Sequence, residues 1–480
     1  MLYADPRTDL ARYHPEVTPT AELLLPEVEE LIREGQYSDL RDALAAIHPA
    51  DVADILGALE PAQTAVGFRF LQRDDAAAAF AYLSPERQEV LIRELGNEGA
   101  VRVVEGMSAD DRVRLLDELP EEVAQRVLAG LSPEERRATQ AILGYPERSV
   151  GRLMTPDYVG IRPNWTVAQA LDHIRKHGKD AETIAYIYVI DNEGRLIDDM
   201  RLRSLLLADP SDSVENQMNR SFVKLQATDD QEEAVLAMGR YDRFALPVVD
   251  SRGVLIGIVT SDDVADVAQA EATEDIQKMG GVAALEEPYM KAGHVEMFKK
   301  RGMWLAALFV GQTITILVLG SFQKRLEQAA VLVLFMPLVM SCGGNSGSQA
   351  ATLVTRALAL GEIAPIDWWR IIRKEFATAL MLGGSLALMG WACVEFFTLV
   401  RVAKFDQPVH AQRMAATVAA AIFTVVMWGT TLGSLLPLLL RRARLDPATA
   451  SSPMVATLMD ASGTLIYLGI AIAILTGTIL

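Results

Sequence analysis

The spacing of apolar positions along this 480-residue chain changes character three times. From residue 47 to about 143 a motif recurs every 24 residues: Leu59-Glu60-Pro61, Leu83-Ser84-Pro85, Met107-Ser108-Ala109 and Leu131-Ser132-Pro133. Ile47, Leu71, Leu95 and Leu119 recur at the same period, twelve residues out of phase. Ser84, Ser108 and Ser132 suit helix N-caps, and Pro85 and Pro133 suit a first helical turn. The pattern therefore predicts short helix pairs stacked as an all-α helical-repeat superhelix. From 150 to 267 the texture becomes α/β. Tyr186-Ile187-Tyr188-Val189-Ile190 and Leu246-Pro247-Val248-Val249 each lead through an Asp-x-x-Gly turn, Asp191 to Gly194 and Asp250 to Gly253, into a second β run. The two copies lie 59 residues apart, which marks a tandem module. Beyond residue 300 five apolar stretches follow, at about 303–322, 329–355, 375–400, 414–440 and 453–479. Each is long enough, at roughly 20 residues, for a transmembrane helix.

Charge divides the chain along the same line. Residues 1–300 hold 55 Asp and Glu against 32 Lys and Arg, and residues 301–480 hold 8 against 13, giving the formal −18. An acidic soluble region argues for cations as partners and against nucleic acid or anionic lipid. The opening Met1-Leu2-Tyr3-Ala4-Asp5 lacks the basic and apolar regions of a signal peptide, so the soluble part is expected in the cytosol. Ten basic residues flank one side of the apolar stretches (Lys299, Lys300, Arg301, Arg356, Arg370, Arg373, Lys374, Arg441, Arg442, Arg444), and five flank the other (Lys324, Arg325, Arg401, Lys404, Arg413). The excess places the soluble region and the 2–3 and 4–5 loops inside and Leu480 outside. The two cysteines, Cys342 and Cys393, both lie in apolar stretches and exclude a disulfide framework.

Asp460 carries the most chemistry. It is the lone ionisable acid or base in the last apolar stretch, and a carboxylate at that depth is costly unless it faces a polar cavity or a partner. The second stretch holds Met336-Pro337 and then Ser341-Cys342-Gly343-Gly344-Asn345-Ser346-Gly347-Ser348-Gln349. Three glycines and a proline predict a broken helix whose freed carbonyls could serve as ligands; the competing reading is close helix packing through small residues. Glu395, near the outer end of the third stretch, reads as a snorkelling acid. Most soluble acids read as solvated faces. The exceptions expected to cluster, and to repel without a cation, are Asp51, Asp54, Asp110 and Asp111 in the helical repeat; Asp229, Asp230, Glu232, Glu233, Asp262, Asp263 and Asp266 in the tandem module; and Glu271, Glu274 and Asp275 beyond it.

Gly257-Ile258-Val259-Thr260-Ser261-Asp262-Asp263-Val264 resembles the end of a CBS domain, which makes residues 150–267 similar to a CBS pair. His48-Pro49-Ala50-Asp51-Val52-Ala53-Asp54-Ile55-Leu56 resembles the helical N domain that precedes such a pair in MgtE magnesium transporters. Glu271-Ala272-Thr273-Glu274-Asp275-Ile276 resembles that family's plug helix. The Gly343–Gln349 segment and Pro453-Met454-Val455-Ala456-Thr457-Leu458-Met459-Asp460 resemble its two pore signatures. The resemblance implies a tail (1–20), a helical N domain (21–149), a tandem CBS pair (150–267), a connecting plug helix (268–300) and a five-helix pore domain (301–480). It further implies a homodimer in the bacterial inner (plasma) membrane. Asp460 and Ala456 would face hydrated Mg²⁺, with Asn345 and neighbouring glycines such as Gly344 alongside, and cytosolic Mg²⁺ on the soluble acids would hold the pore shut.

Some positions depart from the family pattern. Asp198-Asp199-Met200-Arg201-Leu202-Arg203-Ser204 replaces the usual nucleotide-binding ending of the first CBS half, whereas Thr260 and Asp263 retain it in the second, where ATP would sit. Gln323 stands where an acid is common. A broader path for Mn²⁺, Co²⁺ or Ca²⁺, and a non-conducting membrane-anchored Mg²⁺ sensor, compete with the channel reading. No nucleophile–base pair, P-loop or metalloprotease motif points to an enzyme.

Overall fold

The structure, a computed structural model, describes residues 18–285, 289, 292–400, 402 and 408–476. Most of the expected N-terminal tail, and Leu480 with its expected outside location, lie beyond the described residues. The chain forms two compact units that meet in sequence at Val267 and Ala268.

Among the described residues the first unit begins with nine helices: α1 (Pro19–Glu34), α2 (Tyr37–Ala45), α3 (Pro49–Ala58), α4 (Pro61–Phe70), α5 (Arg73–Ala81), α6 (Pro85–Val104), α7 (Ala109–Glu118), α8 (Glu121–Gly130) and α9 (Pro133–Leu143). The repeat positions become its core: Leu59, Leu71, Leu83, Leu95, Met107, Leu119 and Leu131 are buried, and Ile47 packs beside them. Pro85 and Pro133 sit in first turns as expected. Of the three serines, Ser132 closes a cap, accepting from the Glu135 N–H, while Ser84 and Ser108 occupy the cap position without that bond. Gly96, at φ 71°, breaks α6 into two segments and so preserves the pairwise stacking. Arg112 is the largest fully buried side chain here. Its guanidinium donates to the carbonyls of Val104, Met107 and Glu135 and to Thr139 Oγ1, and it pairs with the Glu135 carboxylate at 2.6 Å.

The tandem module contributes α10 (Val150–Leu153), β1 (Gly160–Ile161), α11 (Val167–His177), β2 (Tyr186–Ile190), β3 (Leu196–Arg201), α12 (Leu202–Leu207), α13 (Val214–Gln217), β4 (Leu225–Gln226), α14 (Gln231–Tyr241), β5 (Ala245–Val249), β6 (Leu255–Thr260) and α15 (Ser261–Met279). The strands make two sheets of the same design, β1-β2-β3 and β4-β5-β6, each with one parallel and one antiparallel pair. The two predicted Asp-x-x-Gly turns meet: Leu196 N–H donates to Gly253 O and Leu255 N–H to Gly194 O, each at 3.0 Å. The acids that displaced the nucleotide motif in the first half do structural work. Buried Asp198 accepts from the backbone N–H groups of Asn219 and Arg220, and Asp199 pairs with Arg243 at 2.9 Å.

Among the described residues the second unit holds five helices long and apolar enough to cross a membrane. They are α16 (His294–Ser321), α18 (Val331–Ala359), α19 (Trp368–Leu399), α20 (Pro408–Arg442) and α21 (Ser452–Leu475), with short α17 (Gln323–Gln328) between the first two. Each predicted stretch overlaps one helix: 414–440 lies wholly inside α20, 303–322, 329–355 and 375–400 overrun their helices by one or two residues at one end, and 453–479 runs past the end of α21 and of the described residues. The first begins at His294 rather than near 303, carrying Lys299, Lys300 and Arg301 in its opening turns. Helices α18, α20 and α21 pack on one another around Val339, Val425, Met459 and Tyr467, and α19 lies against α20.

Candidate functional site

The second membrane stretch is not broken. α18 is one helix from Val331 to Ala359, with Pro337 inside it, so the expectation of backbone carbonyls released by a break is corrected. The glycines instead serve close helix packing. A Cβ at Gly343 would collide with Val425, and one at Gly347 would lie 2.8 Å from the Gly429 carbonyl. On α20, Cβ atoms at Gly429 and Gly433 would run into the carbonyls of Gly343 and Gly347. Ser346 and Thr430 seal this seam with a 2.6 Å hydrogen bond between buried hydroxyls.

Gly344 turns to a different neighbour: a Cβ built there would meet Ala456 of α21 at 3.9–4.0 Å. Ala456 and Asp460 stand four residues apart on α21, hence on one face. Gly344, Ala456 and Asp460 thus come together along the α18–α21 contact. Asn345, next to Gly344, is exposed in the isolated chain and donates to Ser341 Oγ at 3.2 Å. Asp460 is half-buried, and its Oδ2 accepts from the Gln312 amide of α16 at 2.5 Å. Gln312 was not singled out from the sequence, though a lone amide in an apolar span is a readable signal. Glu395 is exposed near the far end of α19, and Gln323 bonds to Glu327 in α17 at 3.0 Å.

Among the described residues the expected connecting helix over 268–300 is not one continuous helix: α16 begins at His294, and the helix that leaves the CBS pair ends at Met279. Gly281, at φ 73°, ends it in a conformation that suits glycine, close against Trp304 and Pro453. Before that stop, Lys278 pairs with Glu274 on its own helix and reaches Asp446, in the loop before α21, at 2.5 Å. Burial acts to lower the Lys278 pKa, yet the carboxylates of Asp446 and Glu274 hold it above the ordinary lysine value. Burial, and then the charge of Asp446, push Asp275 upward. Asp446 adds a member that the sequence reading missed to the expected Glu271, Glu274 and Asp275.

In the first unit, five of the predicted acids gather. Ala109 and Val113 of α7 share a core with Leu246, Val248 and Val264 of the second CBS half, which sets the start of α7 beside the start of α15. Asp110 is 8% exposed, and one of its carboxylate oxygens has no hydrogen-bond partner. Asp263 accepts from Thr260 Oγ1 at 2.7 Å. Burial and the Asp110 charge push Asp263 up to about 8. Burial, then Asp111, raise Asp110. Asp111 and Asp266 flank Arg114 at 2.6 and 2.8 Å, so one cation of the protein already serves that edge. Asp262 is exposed alongside. Glu182, from the loop before β2, joins the group: burial and then the charges of Asp110, Asp262 and Asp111 raise it to about 7. Nothing in its local sequence marks Glu182 out. Among the described residues, no three His, Cys, Asp or Glu side chains close into a ready-made metal cage. What this arrangement offers is excess negative charge around buried Asp110 and half-buried Asp263, which suits a cation held through its water shell.

Other predicted acids have local partners instead. Asp51 and Asp54 accept from the hydroxyl and N–H of Thr18 ahead of α1. Asp229 accepts from Gln226 N–H, Asp230 caps α14 through Glu232 N–H, and Glu232 and Glu233 occupy that helix's first turn, where its dipole favours them.

Comparison with known proteins places this arrangement. A family model described as "Divalent cation transporter" matches residues 336–470, one described as "MgtE intracellular N domain" matches 47–148, and the CBS domain model matches 150–208 and 212–270. The magnesium transporter MgtE of Thermus thermophilus is 38% identical over 454 residues, 94% of this chain and 98% of that protein. The chain belongs to the MgtE family. The MgtE of Bacillus subtilis is 31% identical over 92% of this chain and 95% of its own length. A crystal structure of the soluble part of a magnesium transporter superposes with a TM-score of 0.51 at 28% identity, covering 52% of this chain and 99% of that one. The expected fold class is thereby established: a helical N domain, a CBS pair and a helical part with five apolar helices. This MgtE-family chain is an integral membrane protein.

Proposed function

We propose that this MgtE-family chain is a Mg²⁺ channel of the bacterial inner membrane, working as a homodimer with its soluble domains in the cytosol and its C-terminus outside. The observation that carries the reading is Asp460, the lone carboxylate of α21, on the face where Ala456 meets Gly344. Two copies across a dimer axis would put two carboxylates around one narrow path. Mg²⁺ gives up its waters reluctantly, so two carboxylates suit the hydrated dication better than a bare monovalent ion. Asn345, Gly344 and Ala456 complete the lining in this proposal.

Control belongs to the soluble acids. Asp110, Asp111, Glu182, Asp262 and Asp263 crowd together and repel when ionised, as do Glu271, Glu274, Asp275 and Asp446 near the membrane unit. Cytosolic Mg²⁺ would neutralise both groups and favour the closed channel. By linkage it must bind the closed state more tightly, since equal affinity shifts nothing. ATP at Thr260 and Asp263 would compete for the carboxylate that faces Asp110, and so would bear on the same control.

Flux in liposomes tests the whole reading. Wild type should pass Mg²⁺ well ahead of Ca²⁺ and Na⁺, Asp460→Ala should not, and a chain lacking residues 1–265 should conduct without closing as Mg²⁺ rises. Wild-type flux through well-folded Asp460→Ala removes the pore assignment. Comparable Mn²⁺, Co²⁺ or Ca²⁺ flux would favour the broader divalent path, and no flux at all the membrane-anchored sensor.

A further inference from the structure

A cavity of about 430 Å³ lies between α18, α19 and α20 in the membrane unit, well away from the α18–α21 face that holds Asp460. Its volume falls in the range of small-molecule sites. The walls divide by chemistry. Glu362, Lys374 and Glu375 stand at one end, near the start of α19, and Leu353 and Leu382 line the middle. The inner end reaches the buried Ser346–Thr430 pair.

Three observations define an occupant. First, the charged end is at headgroup depth. Trp368 and Trp369 open α19 and are 49% and 64% exposed, an aromatic pair of the kind that marks a membrane interface. Lys374 and Glu375 follow within about two helical turns of Trp368. Second, the cavity opens sideways through apolar residues, since Leu353 is 61% exposed and Leu382 39%. In a membrane helix such a face meets acyl chains. Third, the side chains of Glu362, Lys374 and Glu375 form no ion pair or hydrogen bond with other described residues. Half-buried Glu375, with the charge of Lys374 nearby but no hydrogen bond or ion pair among the described residues, is thus a carboxylate of a membrane helix whose oxygens are open to a cation or donor.

We propose that this cavity binds a phospholipid with a primary-amine headgroup, its ammonium between Glu362 and Glu375, its phosphate on Lys374 and one acyl chain along Leu353 and Leu382. The site carries two anions and one cation, which matches a zwitterion with an accessible –NH₃⁺. A trimethylated choline headgroup cannot donate hydrogen bonds to the carboxylates, and a glycerol headgroup leaves them unneutralised. The inner end of the cavity touches α18 one residue from Asn345, so an occupant sits against a helix of the proposed ion path without entering it.

The test is lipid retention by the full chain, followed by native mass spectrometry after delipidation and separate addition of phosphatidylethanolamine, phosphatidylcholine, phosphatidylglycerol and tail-free phosphoethanolamine. Phosphatidylethanolamine should bind about tenfold better than the other two lipids, and Glu375→Gln or Glu362→Gln should each lose most of that preference, as expected for one charge-assisted hydrogen bond. Lys374→Gln should weaken all phospholipids together, and Leu382→Trp should fill the cavity and reduce retention of each. Thermal unfolding of each variant separates lost binding from lost fold; the loop variant Glu362→Gln, outside the helices, keeps the test open if Glu375→Gln fails to fold. Equal retention of the three lipids, unchanged retention in Glu362→Gln and Lys374→Gln, or equal binding of tail-free phosphoethanolamine would each overturn the proposal.

Discussion

If Asp263 and Asp110 are brought close when ionised only at a cost, then protons and Mg²⁺ must compete for them. Burial and the neighbouring Asp110 hold the Asp263 pKa near 8, against about 3.8 for an unperturbed group. The folded value is the raised one, so the sign is fixed: without Mg²⁺, the approach of α7 to α15 is favoured at low pH and lost as pH rises through about 8. Mg²⁺ bound there, as proposed, would have to displace the proton that Asp263 holds in neutral solution, and metal affinity would then depend on pH. A pKa of about 8 makes the protonated form roughly tenfold in excess at about pH 7 and roughly hundredfold at about pH 6. The apparent Mg²⁺ dissociation constant of this site should therefore fall about tenfold per pH unit up to about pH 8 and level off beyond it. Calorimetric titration of the full chain with Mg²⁺, in two buffers of different ionisation heat, reads both quantities. About one proton should leave per ion bound at about pH 7, and close to none at about pH 9.5. Asp263→Asn should remove the component that levels off near pH 8 and leave the part that Glu182, at about 7, contributes. A wild-type dissociation constant that is the same at about pH 6.5 and about pH 8.5 would refute the competition.

Three further outcomes follow from packing and charge. Arg112→Met strips a buried guanidinium from three carbonyls, Thr139 and Glu135, and should destabilise the first unit by about 3–5 kcal/mol in denaturant unfolding; a loss under about 1 kcal/mol would mean that water replaces it. Gly433→Ala sets a methyl group against the Gly347 carbonyl, so it should lower the detergent melting temperature, whereas Gly469→Ala, with open space around it, should not. Lys278→Met leaves Glu274, Asp275 and Asp446 without their cation, and flux should then need more Mg²⁺ to shut off; an unchanged closing concentration would detach this group from control.

The sequence made some features legible and hid others, for physical reasons. Periodicity was readable: the 24-residue repeat marks Leu59, Leu83 and Leu131, and the stacked helices bury all three. So were the two Asp-x-x-Gly hairpins, since each glycine takes φ 80° at the turn. The state of the Gly343–Gln349 segment was not. Glycine and proline lower helix propensity, but tertiary packing overrides it where three helices need close backbone approach. At the acidic site, identity was visible and grouping was not. Asp110 and Asp263 lie 153 positions apart and meet because Val113 and Val264 share a core. Glu182 joins them from a loop with no periodic signal at all. Asp446, one acid in a short loop, acquires meaning only from Lys278.

The packing of the membrane unit also limits where conformational change can occur. α18 and α20 are locked by backbone contacts that a single methyl group would disrupt, and such interfaces resist gradual deformation. α16 differs. It has no buried residue within the chain and packs chiefly on α21. Yet it supplies Gln312, the side chain that holds Asp460, and its Trp304 lies against Gly281, where the connecting segment turns. The element with the weakest hold is therefore the one that touches both the intramembrane carboxylate and the segment arriving from the soluble acids. A displacement of α16 alters the Asp460 hydrogen bond and its Gly311 contact with Thr457, and leaves the α18–α20 glycine contacts in place. A rigid frame with one lightly held helix is the arrangement in which charge neutralisation around Asp446 and Lys278 can reach Asp460 at little cost in packing.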